Sequence, residues 1–214
     1  MTPRRPEILV LAGTNGAGKS SLAGEALREA GDRYFNPDEG AAEYLKRLPS
    51  ASHEEANGWA WNRGRRLLEE AIERRLRYVF ETTLGGDTIT ALLLKAANVG
   101  MPVRIWYVGL SSPELHVERV RARVSRGGHD IPESKIRERY ESSRRNLVRL
   151  IPHLAELRLF DNSAELDPAK GETPRPVLIL HLEGGRMVES ASFSEVPVWA
   201  KPIVQAAINA YGQP

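Results

Sequence analysis

The sequence predicts an α/β fold of three layers. A mostly parallel five-stranded sheet lies between helices, with a helical lid and a C-terminal β-hairpin plus helix added. Three observations predict this. Apolar runs of strand length alternate with stretches of helical periodicity, the pattern of right-handed βαβ crossovers. The first run ends on residues 13–20, which fit G-x-x-x-x-G-K-[ST] in full between a strand and a helix start. Near the C-terminus, Glu183-Gly184-Gly185 separates two short extended runs, a hairpin signal.

The elements follow in order. Residues 7–12 (EILVLA) are the short apolar run expected of a central parallel strand. A helix is expected from Gly18 to about Ala30, stopped by Gly31. A brief extended segment, 33–36, precedes Pro37-Asp38, and a helix over 38–48 closes at Pro49. Ala56, Trp59, Ala60, Leu67, Ala71, Ile72 and Leu76 recur at helical spacing, predicting a helix over 53–77. Tyr78-Val79-Phe80 is a strand ending on Glu81-Thr82-Thr83, and Asp87 is placed to cap a helix that stops near Gly100. Residues 103–110 form the fourth strand. Ser112-Pro113-Glu114 is a strong helix start, with a capping hydroxyl, proline at the first position and an acid in the first turn, and that helix reaches about Arg126. Gly127-Gly128 breaks it, and Pro132 opens a helix to about Leu150. Residues 157–160 are the fifth strand and 167–176 a loop. The hairpin is expected as an antiparallel edge addition, followed by a helix over 198–211.

Composition excludes several classes. A chain of 214 residues that is 41% hydrophobic suits one domain over 1–214, with the lid at about 119–149 and the hairpin and helix at about 176–211. There is no cysteine, which rules out disulfides and thiolate metal sites. The N-terminal apolar run is short and leads into the glycine-rich loop, so it reads as a strand rather than a leader, and no stretch is long enough to span a bilayer. A cytoplasmic location without a membrane partner is expected. Net charge is +2, and glutamates interrupt the basic stretches without an aromatic platform, which argues against a nucleic-acid partner. Six of the 30 basic residues are lysine, so any arginine cluster stands on an arginine-rich background.

In the loop, Gly13, Thr14, Asn15, Gly16, Ala17 and Gly18 turn successive backbone N–H groups toward phosphate oxygens, and the next helix adds its positive N-terminal end. Lys19 reaches the β- and γ-phosphates of ATP, Ser20 supplies a hydroxyl to Mg²⁺, and Ser21 completes the nucleotide-binding set. A GTPase N-K-x-D element, an ABC-type signature and a Walker B run are all missing, which favours a small-molecule kinase. Transfer to an alcohol needs a proton acceptor near the hydroxyl. Asp38 is the choice for this base, with helix capping as its alternative role. Glu81 and Thr83 read as acceptor-binding groups or outer-shell Mg²⁺ contacts, or else as a strand-end capping pair. Arg119, Arg123 and Arg126 fall at i, i+4, i+7 and share one helix face, from which they would neutralise the transferring phosphoryl group; Arg121 points elsewhere. Arg137, Arg139, Arg144 and Arg145 form a second set, and His129 shapes the turn between. The alternative is two solvated arginine-rich helices.

The segments G-T-N-G-A-G-K-S, N-P-D, F-E-T-T-L, R-V-R-A-R-V-S-R-G-G-H-D-I-P, R-Y-E-S-S-R-R-N-L and D-N-S occur in this order. Over about residues 7–163 the chain resembles the zeta-toxin-like P-loop kinases, in particular the short bacterial branch labelled predicted ABC-type ATPases. The resemblance implies a P-loop kinase-like fold and ATP with Mg²⁺. It also implies UDP-N-acetylglucosamine as the hydroxyl-bearing acceptor and a small neutralising antitoxin. It assigns Asp38 as base, Glu81 and Thr83 as acceptor contacts, Arg119 or Arg123 with Arg126 as phosphate contacts, and Asn162 a place near the adenine. E-T-T stands where the founding toxins have E-G-T. Open beside the UDP-sugar are another nucleotide, an antibiotic or a polynucleotide 5′ hydroxyl as acceptor, and an ATP-binding regulatory module without transfer.

Overall fold

The first apolar run becomes the centre of a sheet because every one of its side chains is buried. β1 (Ile8–Ala12) lies between two parallel neighbours, β3 (Tyr78–Thr82) and β4 (Val103–Gly109), with Ile8 opposite both Tyr78 and Val103. A strand covered on both faces needs apolar side chains at every position, which is why this run does not alternate. The computed structural model describes residues 5–20, 34–128, 130–164 and 176–212.

The sheet has seven strands in the order β2-β3-β1-β4-β5-β6-β7, with β2 at Tyr34–Phe35, β5 at Glu156–Asp161, β6 at Val177–Glu183 and β7 at Arg186–Ser190. The first five are parallel, as expected. The expected count of five is corrected to seven. β6 pairs antiparallel with β5 along its length, so the hairpin continues the sheet.

One face packs on helices α2 (His53–Glu73), α3 (Asp87–Asn98), α5 (Glu133–Leu150) and α6 (Lys201–Tyr211). Ile8, Val10, Phe80, Ile105, Tyr107, Leu157 and Leu159 supply the strand side of that core, alternating along each strand. The other face shows Leu9, Leu11 and Val79 with Tyr34 and Trp106. The helix expected from Gly18 to about Ala30 lies outside the described residues from residue 21 on, as do Ser21, His129 and most of the 167–176 loop. α6 is part of the core. Ile203, Val204 and Ala207 are buried, and Trp199 lies so close to Gly109 that a Cβ there would stand 2.2 Å from the indole. Among the described residues no helix is long and apolar enough to cross a membrane.

Several boundaries differ from expectation for local reasons. α2 ends at Glu73 rather than 77, because Arg75 takes a left-handed φ of 52°, and Leu76 is left exposed. Ser52 caps it in a full capping box with Glu55. Asp87 does not cap α3. Gly86 holds the cap position, and Asp87 pairs with Arg149 instead. α4 spans Pro113–Val124, capped by Ser112, and so stops two residues short of Arg126. Residues 198–200 form a tight 3-10 turn ahead of α6.

Candidate functional site

The loop after β1 is held by three long-range contacts. At Gly13 φ is 138° and a Cβ would sit 2.1 Å from the Val108 carbonyl oxygen, so only glycine lets the chain leave the sheet here. The His116 Nδ1 lies 2.8 Å from the Asn15 carbonyl oxygen, inside the core. Asn162 donates to the Ala17 carbonyl at 2.9 Å while being 3% exposed. Its amide therefore braces the loop from behind. Burial pushes His116 down to about 4 from the usual 6.5, with the nearby Lys19 charge adding to the effect and the Asn15 carbonyl opposing it. The ring is neutral at pH 7.

Lys19 is buried at the loop's end. Its ammonium donates to the Thr14 carbonyl oxygen at 3.3 Å and lies 3.5 Å from Glu81 Oε1. Glu81, one residue before the end of β3, gathers the polar groups of this corner. Ser20 Oγ donates to its Oε2 at 2.9 Å, Asn36 Nδ2 at 3.3 Å, and the Tyr34 hydroxyl donates to the same oxygen. Glu81 thus links loop, β2 and β3, a wider role than strand-end capping.

These groups open onto a cavity of about 520 Å³. Asn15, Gly16, Gly18, Lys19 and Ser20 form its floor. Asn36, Pro37, Asp38, Asn57 and Trp61 line one side, Glu81, Thr82 and Thr83 the strand end, and Arg119, Arg123, Asp130, Ile131, Pro132, Lys135 and Arg139 the roof. Asp38 is not the cap of its helix, α1 (Pro37–Arg47). Asn36 is, its side chain accepting from the Asp38 backbone N–H at 2.9 Å. That leaves the Asp38 carboxylate directed to Arg123, 3.5 Å away across the cavity.

Of the proposed arginines, Arg119 and Arg123 line the cavity and Arg126 does not. The helix ends at Val124, so the shared face stops before Arg126, which is exposed in the following turn. Arg121 pairs with Glu133 outside, as its phase suggested. Arg139, named only within the second set, reaches from α5 to Asn15 Oδ1 at 2.8 Å, and burial lowers its pKa below the usual arginine range. Its only sequence signal was membership of a basic helix. His116, Tyr34, Asn36, Asn57 and Trp61 were likewise missed; their roles depend on which strands and helices become neighbours.

A glycine-rich loop between a buried parallel strand and a helix start, with a buried lysine at its end, defines a P-loop nucleotide-binding fold. The chain belongs to the AAA domain family (AAA_33), whose family model matches residues 8–146. An uncharacterized protein of Haemophilus influenzae is 30% identical over 134 residues, 63% of this chain and 92% of that protein. Among solved structures, the native AvrRxo1-ORF1:ORF2 complex matches with a TM-score of 0.64 at 19% identity, covering 98% of this chain and 72% of that one. Its form with ATP matches with a TM-score of 0.64 at 18% identity and 95% coverage; the chain spans 64% of that structure's length. The PezAT chromosomal toxin–antitoxin system of Streptococcus pneumoniae matches with a TM-score of 0.54 at 16% identity, covering 81% of this chain and 76% of that one. At these identities the likeness is one of fold.

Proposed function

We propose that this protein transfers the γ-phosphate of ATP to a hydroxyl of a small-molecule acceptor. The observation that carries the proposal is that Asp38, Lys19 and Glu81 face one cavity under a roof of arginines. ATP lies with its phosphates on the loop backbone and Lys19. The acceptor hydroxyl lies near Asp38. Its oxygen forms the new bond to the γ-phosphorus as the bond to the β-bridging oxygen breaks, and the acceptor proton passes to Asp38. Arg119, Arg123 and Arg139 stand where equatorial charge develops. The segment over 119–149 serves as a lid of one kinase domain, and its closure excludes water that would hydrolyse ATP.

Ser20 Oγ and the Glu81 carboxylate, 2.9 Å apart, are hard oxygen donors that suit Mg²⁺ shared with ATP phosphates. The ion would neutralise phosphate charge there. Glu81 and Thr83 also contact the acceptor in this reading. The finer proposal for the acceptor is UDP-N-acetylglucosamine, and for a partner an antitoxin; PezAT, similar in fold, is itself a toxin–antitoxin system. Incubation with γ-labelled ATP, Mg²⁺ and UDP-N-acetylglucosamine, then with a metabolite extract, tests this. Label in the UDP-sugar is the expected result. Label confined to other compounds rejects that acceptor, and ATP binding without any transfer rejects the kinase.

A further inference from the structure

α2 carries two tryptophans two residues apart, on opposite sides of the helix. Trp59 points inward and packs on Tyr44 with the rings tilted by 33° and their centres 5.1 Å apart, within the small core between α1 and α2. Trp61 belongs to no hydrophobic cluster of the described residues and is 47% exposed. A lone exposed apolar residue is ordinary. Trp61, however, forms part of the cavity wall that also holds Asp38, and Asn57, one helical turn before it, lines the same wall. Arg65 packs 5.9 Å from the centre of the indole ring and is itself paired with Glu69, which orients the ring.

We infer that Trp61 is the stacking platform for the acceptor, and that the acceptor carries a nucleobase whose polar edge Asn57 reads. The inference rests on the proposed kinase reading and names the substrate class of that site. A large flat π-face beside a proton acceptor has no use for a small acyclic alcohol, whereas base–aromatic stacking gains from it. Lys135, which lines the same cavity, supplies a cation for the phosphate of a nucleoside 5′-phosphate. Asp38, which lines the same cavity, then meets a hydroxyl of the acceptor.

The test measures binding, so it stands apart from transfer. With the donor site filled by a non-hydrolysable ATP analogue and Mg²⁺, UMP, CMP, AMP and GMP are titrated by calorimetry and by tryptophan fluorescence. N-acetylglucosamine 1-phosphate is titrated as the base-free control. The expected result is binding of at least one nucleotide with quenching of emission. Trp61→Leu should weaken it about tenfold, the scale of one base stacked on an aromatic ring, while Trp61→Phe keeps it within about threefold. The affinity of each variant for the ATP analogue controls for folding. Binding unchanged in Trp61→Leu, no second-site binding by any of the four nucleotides, or equally Trp61-dependent binding of the sugar phosphate overturns the inference. If the kinase reading alone fails, nucleotide binding at Trp61 persists while no phosphate moves.

Discussion

Acidification should destabilise this protein through one buried ring. His116 is 1% exposed, bonded to the Asn15 carbonyl and edge-on to Tyr140 at 5.6 Å. Its pKa falls from 6.5 to about 4 on folding, so between those values the unfolded chain binds the proton and the folded chain refuses it. The contribution is therefore fully present above pH 6.5 and is lost as pH falls toward 4. The gap is worth about 3 kcal/mol in total, of which about 2 kcal/mol is gone by pH 5. Urea unfolding at pH 7.5 and pH 5, for the natural protein and for His116→Gln, isolates this ring from the carboxylates that titrate in both. The natural protein should lose about 2 kcal/mol more than the variant over that interval. Parallel losses would refute the argument that a neutral buried imidazole braces the loop.

Three further outcomes follow from the same contacts. Lys19→Ala should slow phosphoryl transfer by at least about a hundredfold, measured as label transferred at saturating ATP, because among the described residues the one other lysine that lines the cavity, Lys135, comes from α5 rather than from the loop. Asn162→Ala leaves the Ala17 carbonyl without its 2.9 Å donor and should cost about 1–3 kcal/mol in denaturant unfolding, with weaker ATP binding by calorimetry. Arg139→Ala should lower kcat about a hundredfold, while Arg126→Ala changes it less than about threefold, since only the first lines the cavity.

What was legible in the sequence was local. The loop at 13–20 reads directly because its glycines, lysine and serine act through neighbouring backbone. The strand–helix alternation reads because burial on both faces of β1 leaves an unbroken apolar run. Asp38 stood out as an acid after a short strand, but its rival role as a cap was settled only by the bond from its backbone N–H to Asn36. Arg126 was misplaced because helical phase was carried past Val124, where the turn had already begun. Leu76 failed similarly, since nothing in its pattern announces that Arg75 will turn left-handed. The contacts of Arg139 and His116 were illegible for another reason. Each acts on a partner far away in sequence, and either could equally have been a surface or core residue. The hairpin was recognised, but its full pairing with β5, which raises the sheet to seven strands, is also a long-range fact.

The central claim is that Asp38 takes a proton from an acceptor hydroxyl facing ATP on the 13–20 loop. The most direct test compares the initial rates at which the natural protein and Asp38→Asn move label from γ-labelled ATP into acceptor. Because Asn36 caps α1 through the backbone of residue 38, the variant should fold and bind ATP normally. The account predicts transfer at least about a hundredfold slower in Asp38→Asn, with ATP affinity unchanged. Equal rates in the two proteins would contradict it.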